Sequence, residues 1–277
     1  MRSSPLSQRG AAFLTFVALL SAVTILFVLG QASWQSRQLI NSFQDVRAAR
    51  VTQAAAALRT WYAVNAAVID SPSFMVPTGE ELLAAAGVPA QWGLSAGITS
   101  TQLVRGDIPY HAIAVWAPTD DDEQDPVFDV STGELNLCPD DEGHCGTRAA
   151  ARIDGYEIQA THYQNTVRDL RGLALSAQAF FHAKWLADPD HNLSVNYFRG
   201  CDAPGSSLPC LDSYEPLINA GLLEELGEPN SRAYDAWGSE VLVTNGNPND
   251  LQPPYRLALR AVTPWGAVIN VYAVQRL

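Results

Sequence analysis

The stretch QRGAAFLTFVALLSAVTILFVLG, Gln8 to Gly30, joins a short basic leader to an uncharged apolar run. From Gly10 to Ser36 there is no Asp, Glu, Lys or Arg. A bilayer span needs roughly 20 apolar residues, about 30 Å at 1.5 Å each, and residues 11–30 supply that length. The segment reads as a membrane-spanning helix.

The residues on either side separate this reading from that of a cleaved secretory signal. Such signals carry an apolar run of about 7 to 15 residues that ends at a small-x-small site. Here the run is longer and no breaker follows it. Gln31 to Ala67 lacks Pro and Gly and is rich in Ala, Gln, Arg and Leu, all good helix formers. Leu39, Phe43, Val46, Ala54, Leu58 and Trp61 recur at helical spacing, with Arg37, Asp45, Arg47, Arg50 and Arg59 between them. The apolar helix is therefore expected to continue as an amphipathic stem to about residue 70, with a total length of about 90 Å at 1.5 Å per residue. Such a rod suits side-by-side packing with copies of itself.

At these residues the chain resembles the type IV pilin and pseudopilin family. In that family a basic leader ends in Gly, a dedicated peptidase cuts after it, and the exposed helix becomes the filament core. The matching residues are Arg9 and Gly10 before the cut and Ala11, Ala12, Phe13 and Leu14 after it. The resemblance implies processing between Gly10 and Ala11 and assembly through Phe13, Leu14 and position 15. Most members carry Glu as the fifth mature residue, whereas this chain has Thr15. An unpaired carboxylate in lipid is costly, so its loss eases insertion and deletes one lateral contact. Within the family that points to a minor subunit at or near the tip, in filament initiation or adhesion, rather than a bulk subunit. The resemblance covers about the first 60 residues.

About 210 residues follow the stem, enough for one large or two small domains. The formal charge is −12, and loss of Arg2 and Arg9 with the leader makes the chain more acidic still. Such acidity, concentrated beyond the Arg-bearing stem, excludes nucleic acid as an expected partner. Arg2 and Arg9 favour a cytoplasmic N-terminus in the bacterial inner membrane, with a periplasmic head that later joins the pilus or pseudopilus. The expected partners are other pilins, the prepilin peptidase and the inner membrane. The four cysteines form two close pairs, Cys138 with Cys145 and Cys201 with Cys210. In an oxidising compartment two local bridges are the simplest of the three connectivities. A zinc site with His144 is the rival, but no C-x-x-C pair is present.

Along the rest of the chain, Pro72 and Pro77-Thr78-Gly79 end the stem, and Glu80 to Ala86 reads as a short helix. Gln102 to Arg105 and Tyr110 to Ala117 read as strands, and Val127 to Asn136 as a hairpin. A second amphipathic helix is expected over Tyr163 to Trp185, then a short helix Tyr214 to Leu226 and strands Glu240 to Thr244, Tyr255 to Val262 and Ala267 to Val274. Helix, short helix, strands: the order occurs twice. It suggests an α+β fold in which a long N-terminal membrane-spanning helix packs on antiparallel sheet, with two pilin-like modules in tandem. The expected divisions are leader 1–10, helix 11–70 (apolar 11–30, stem 31–70), first module 71–160 and second module 161–277. Asp235-Ala236-Trp237-Gly238 resembles the D-P-W-G turn of major pseudopilins, and Gln91-Trp92-Gly93 holds a comparable place in the first module.

Candidate chemistry is sparse. Gly93-Leu94-Ser95-Ala96-Gly97 matches the G-x-S-x-G nucleophile elbow, but a Pro-containing loop precedes it and no helix follows, so a Gly-rich turn is expected. Asp188-Pro189-Asp190-His191-Asn192 opens like a calcium loop, yet Leu193 stands where Gly is needed and Arg199 where a bidentate Glu belongs. Asn245, Asn247, Asn249 and Asp250 offer oxygens for calcium, set against the ordinary use of Asn-Gly and Asn-Pro in turns. No other cofactor is indicated. The residues thus predict a minor pilin or pseudopilin without enzymatic activity; the alternative is a periplasmic enzyme or receptor domain tethered to the inner membrane by its N-terminus.

Overall fold

A computed structural model describes Gln31, Gln35 and residues 42–118, 125–137, 149–201, 209–246 and 252–276. The first element is helix α1, residues 42–69. Its Ala-rich sequence holds no breaker, and Val51, Ala54, Leu58, Tyr62, Ala66 and Ile69, spaced three or four apart, are all buried. It stops where Ser71 precedes Pro72, because a residue before proline is pushed out of the helical region. Helix α2, Gly79–Ala85, starts on a capping box in which Thr78 and Glu81 satisfy each other's backbone N–H groups.

Against the buried face of α1 lies a three-stranded antiparallel sheet of β1 (Ser95–Ile98), β4 (Ala112–Trp116) and β7 (Ala150–Asp154), with β4 in the middle. Two hairpins flank it, β2 (Leu103–Arg105) with β3 (Ile108–Tyr110) and β5 (Val127–Phe128) with β6 (Leu135–Asn136). Strand β7 runs straight into helix α3, Gly155–Ala187, whose N-cap Asp154 accepts a hydrogen bond from the Tyr156 N–H. Only glycine fits as its first residue: a Cβ on Gly155 would lie 2.2 Å from the Tyr62 hydroxyl and 2.3 Å from the His111 carbonyl.

The second sheet has the order β11, β10, β9, β8, built from Glu215–Pro216 (β8), Leu242–Thr244 (β9), Arg256–Val262 (β10) and Val268–Val274 (β11). Helix α3 lies across it, and helix α4, Leu222–Leu226, fills one side. Two apolar cores result. In the first, Leu58, Ile69, Leu82, Ile113 and Ile153 meet Ile158 from the first turn of α3. In the second, Leu170, Leu173, Ala177 and Phe181 of the same helix meet Phe198, Leu217, Val243, Leu257 and Leu259. Each fully buried Leu, Ile or Phe contributes about 1.5–3 kcal/mol relative to exposure.

The fold of the described residues is α+β with antiparallel sheets, and the expected membrane-spanning helix is not among their elements. Among the described residues no helix is long and apolar enough to cross a membrane. Helix α1 carries Asp45, Arg47, Arg50 and Arg59, charges whose burial in lipid is too costly. Residues 11–30, on which that expectation rested, lie outside the described residues. Other differences are local. Helix α3 starts eight residues before Tyr163, on the Asp154 cap, so the expected module boundary at residues 160 and 161 falls within it. Strand β7 has no expected counterpart, because Ala-Ala-Arg-Ile-Asp lacks a strong period of two. Tyr214 to Leu226 is split by Pro216 and by Gly221 at φ 63° into a short strand, a 3-10 turn and α4.

Candidate functional site

The two cores meet at a buried polar group that ties α1 to everything else. Asp70, at the end of α1, is fully buried, and its Oδ2 accepts from the Tyr62 hydroxyl at 2.6 Å and from the Gln159 side-chain amide at 2.5 Å. Gln159, also fully buried, donates a second bond to the Ala66 carbonyl at 3.1 Å. Its own oxygen accepts from the Trp237 indole N–H at 2.6 Å. The Tyr62 hydroxyl accepts from the His111 backbone N–H at 2.9 Å, and Gln102 donates to the Asp70 carbonyl at 2.7 Å. The His111 ring lies with Nδ1 3.0 Å from the Thr99 carbonyl and 2.9 Å from its hydroxyl. One chain of contacts thus runs from the stem helix through the first sheet and α3 to the turn before the second sheet.

Burial dominates the electrostatics of this group. It pushes the Asp70 carboxyl up to about 6, against the bonds from Tyr62, Gln159 and the His111 backbone that favour the anion. It also lifts the Tyr62 hydroxyl well above the tyrosine range, with the Asp70 charge adding to the shift, and lowers His111. No cation pairs with Asp70 among the described side chains, and its Oδ1 has no hydrogen-bond partner there. A fully buried carboxyl with two strong donors is suited to holding elements in register.

Trp237 reaches Gln159 because the Asp235-Ala236-Trp237-Gly238 turn aims it there. The Asp235 carboxylate accepts from the Trp237 and Ser239 N–H groups, both at 2.9 Å, and Gly238 takes φ 81°. The Trp265 ring stands edge-on to Trp237 with centroids 5.5 Å apart, and the His162 ring of α3 lies tilted to Trp237 with centroids 6.0 Å apart. These tryptophans are packing groups first.

The residues singled out from the sequence are scattered. Gly10, Ala11, Phe13, Leu14, Thr15, Cys138, Cys145, Asn247, Asn249 and Asp250 lie outside the described residues. Cys201 and Cys210 are bridged. Asn245 is buried, and its side chain is spent on the bridged segment: it accepts from the Leu211 N–H at 2.8 Å and donates to the Phe198 and Pro209 carbonyls at 2.6 and 2.8 Å. That leaves its oxygen engaged, and among the described residues no group of three His, Cys, Asp or Glu side chains is arranged to hold a metal ion. In the Asp188 loop the carboxylate accepts from the Tyr197 hydroxyl, which holds Asp188 below its usual range. Ser95 opens strand β1, paired with Trp116, so it sits inside a strand instead of on the turn between a strand and a helix.

Tyr62, Asp70 and Gln159 were not selected by sequence reading. The available signal was a polar residue on the buried stripe of an otherwise apolar helix face, at Tyr62 and again at Asp70. An open groove of about 550 Å³ also runs along the outer side of α3, past Tyr163, Val167, Arg168, Arg171 and Leu175. No family model, curated protein or solved structure matches this chain.

Proposed function

We propose that this chain is a minor pilin or pseudopilin, a structural subunit at or near the tip of a type IV pilus or type II secretion pseudopilus. The reading is carried by Arg9-Gly10-Ala11-Ala12-Phe13-Leu14 and by the Pro- and Gly-free sequence from Gln31 to Ala67, most of which forms α1. One side of α1 is committed to the head through Val51, Leu58 and Tyr62, while Phe43, Val46, Val64 and Val68 remain exposed on the other side. Apolar residues left outward on a helix already docked on its own head are what lateral assembly with other pilins uses. The Cys201–Cys210 bridge suits a head displayed outside the cytoplasm. The subunit's work is initiation of assembly or adhesion, without catalysis.

Cleavage tests the reading. Co-expression with a prepilin peptidase should remove residues 1–10, read as the corresponding loss of mass, and Gly10→Ala should block the cut. A chain whose mass is unchanged by the peptidase overturns the proposal.

A further inference from the structure

Each main sheet has two outer strands, and three of those four edges are closed. Along β1 the carbonyl of Ala96 is covered by the start of α2, where a Cβ on Gly79 would come within 2.0 Å of it, and the Phe128 ring lies over Gly97. Strand β7 carries the charged residues Arg152 and Asp154. Strand β8 is two residues long and ends in Pro216. Short strands, charges, prolines and covering elements are the usual protections of a sheet edge.

Strand β11 has none of them. Val268-Ile269-Asn270-Val271-Tyr272-Ala273-Val274 is seven residues long, without charge or proline, and pairs one-to-one with β10 without a bulge. The Ala267 carbonyl accepts from the Thr263 N–H at 2.8 Å and the Gln275 N–H donates to the Tyr255 carbonyl at 3.0 Å, so odd-numbered residues face β10. The N–H and C=O groups of Val268, Asn270, Tyr272 and Val274 therefore point off the sheet. Among the described residues no backbone group pairs with them. Beside them Val262, Val268 and Tyr272 are exposed.

We propose that β11 is a pairing edge for a second copy of this chain, the two strands meeting antiparallel about a two-fold axis at Val271. In a chain of net charge −12 this strand carries no charge, so it is a surface on which two copies approach without like charges facing. Arg276 follows the strand by two residues, outside the overlap, and the cations one strand back on β10 are engaged within the head: Arg256 lies over the Tyr272 ring, and Arg260 lies over the Tyr214 ring and donates to Asn270. Full overlap about Val271 sets Val268 against Val274 and Asn270 against Tyr272 of the second copy, each pair exchanging backbone hydrogen bonds. It also extends the exposed row of Val262 and Val268 onto an apolar neighbour. One seven-residue edge lies at the small end of interface sizes, so the dimer is reversible. Pairing at β11 involves the second sheet alone and is independent of filament assembly.

The register makes a specific test. Val271, half-buried on the face of β11 that packs on the second core, would face its own counterpart in a non-hydrogen-bonded pair, where Cα atoms lie about 4.5 Å apart, within disulfide reach. In the full-length chain, Val271→Cys should form a reducible covalent dimer at least about ten-fold faster than Val104→Cys, a control on the exposed β2 hairpin, because pairing raises the local thiol concentration. Adding Asn270→Pro, which removes an outward N–H and, with it, the side-chain acceptor of Arg260, but leaves the β10 backbone ladder intact, should return that rate to the control value in a chain that still unfolds cooperatively. Equal cross-linking of Val271→Cys and Val104→Cys overturns the proposal, as does rapid cross-linking that survives Asn270→Pro in a folded chain.

Discussion

The two modules follow one plan, a helix laid on an antiparallel sheet, yet they are held by different forces. The second core is apolar from Leu170 to Ala273, and its buried polar groups, such as Asn245, stay at its margin tying loops down. The first has Tyr62, Asp70, His111 and Gln159 sealed beside its apolar residues. Apolar contacts are tolerant of direction, whereas a buried hydrogen-bonded group is satisfied in one arrangement only. The difference teaches that the stem helix is docked for register as well as for burial. Its angle to the head is set where Tyr62, Asp70 and Gln159 meet.

The largest expected effect probes the apolar module. Phe181 is fully buried between α3 and the loop holding Tyr197 and Phe198, so Phe181→Ala should cost about 3–5 kcal/mol in denaturant unfolding. Because α3 serves both cores, tryptophan fluorescence and far-UV circular dichroism should report one coincident transition. Two separated transitions would break the picture of modules coupled through a shared helix.

The polar module should respond instead to pH. Folded Asp70 keeps its proton up to about pH 6, whereas its ordinary value is 3.8, so the folded chain binds that proton more tightly than the unfolded one. The resulting stability is complete below about pH 4 and is lost as the pH rises through 6, an effect of up to about 3 kcal/mol. Asp70→Asn, of the same shape and without charge, should flatten the slope of stability between those pH values. An equally steep slope in the variant would remove Asp70 from the account.

The smallest effect sharpens the contrast. Trp237→Phe keeps most of the ring packing against Trp265 but takes the donor from the Gln159 oxygen, and should cost about 1 kcal/mol or slightly more. Combined with Asp70→Asn, its cost should differ from the sum of the two single changes, because both act through Gln159. Strict additivity would mean that the two modules are merely adjacent.

Much of the fold was legible where periodicity is strong. Ala54 and Leu58 in α1, Leu170, Ala177 and Phe181 in α3, and the strands near the C-terminus are local patterns, and each found its element, whereas Phe43 and Val46 of the expected α1 stripe are exposed. Strand β7 was illegible because it is an edge strand made by pairing with β4, and the start of α3 because its cap is a single Asp after an unremarkable pentapeptide. The Gly93 to Gly97 stretch looked like a turn, yet Ser95 to Ile98 pair with β4, and the Phe128 ring packs where a Cβ on Gly97 would lie. The polar junction was hidden for another reason: Tyr62 and Gln159 lie far apart in the chain, and nothing local marks two residues that will share one carboxylate.

The sequence by itself determined most of the long helical segments and the C-terminal strands, and the buried stripe of α3, because those follow from spacing along a few turns. It also set the charge of the head and the nearness of Cys201 to Cys210. Only the tertiary structure decided that one helix would serve two cores, that Asp70 would be enclosed with Tyr62 and Gln159, and that, of the main-sheet edges among the described residues, β11 would be the unprotected one. These are properties of elements brought together from distant parts of the chain, where burial and pairing, rather than local preference, choose the arrangement.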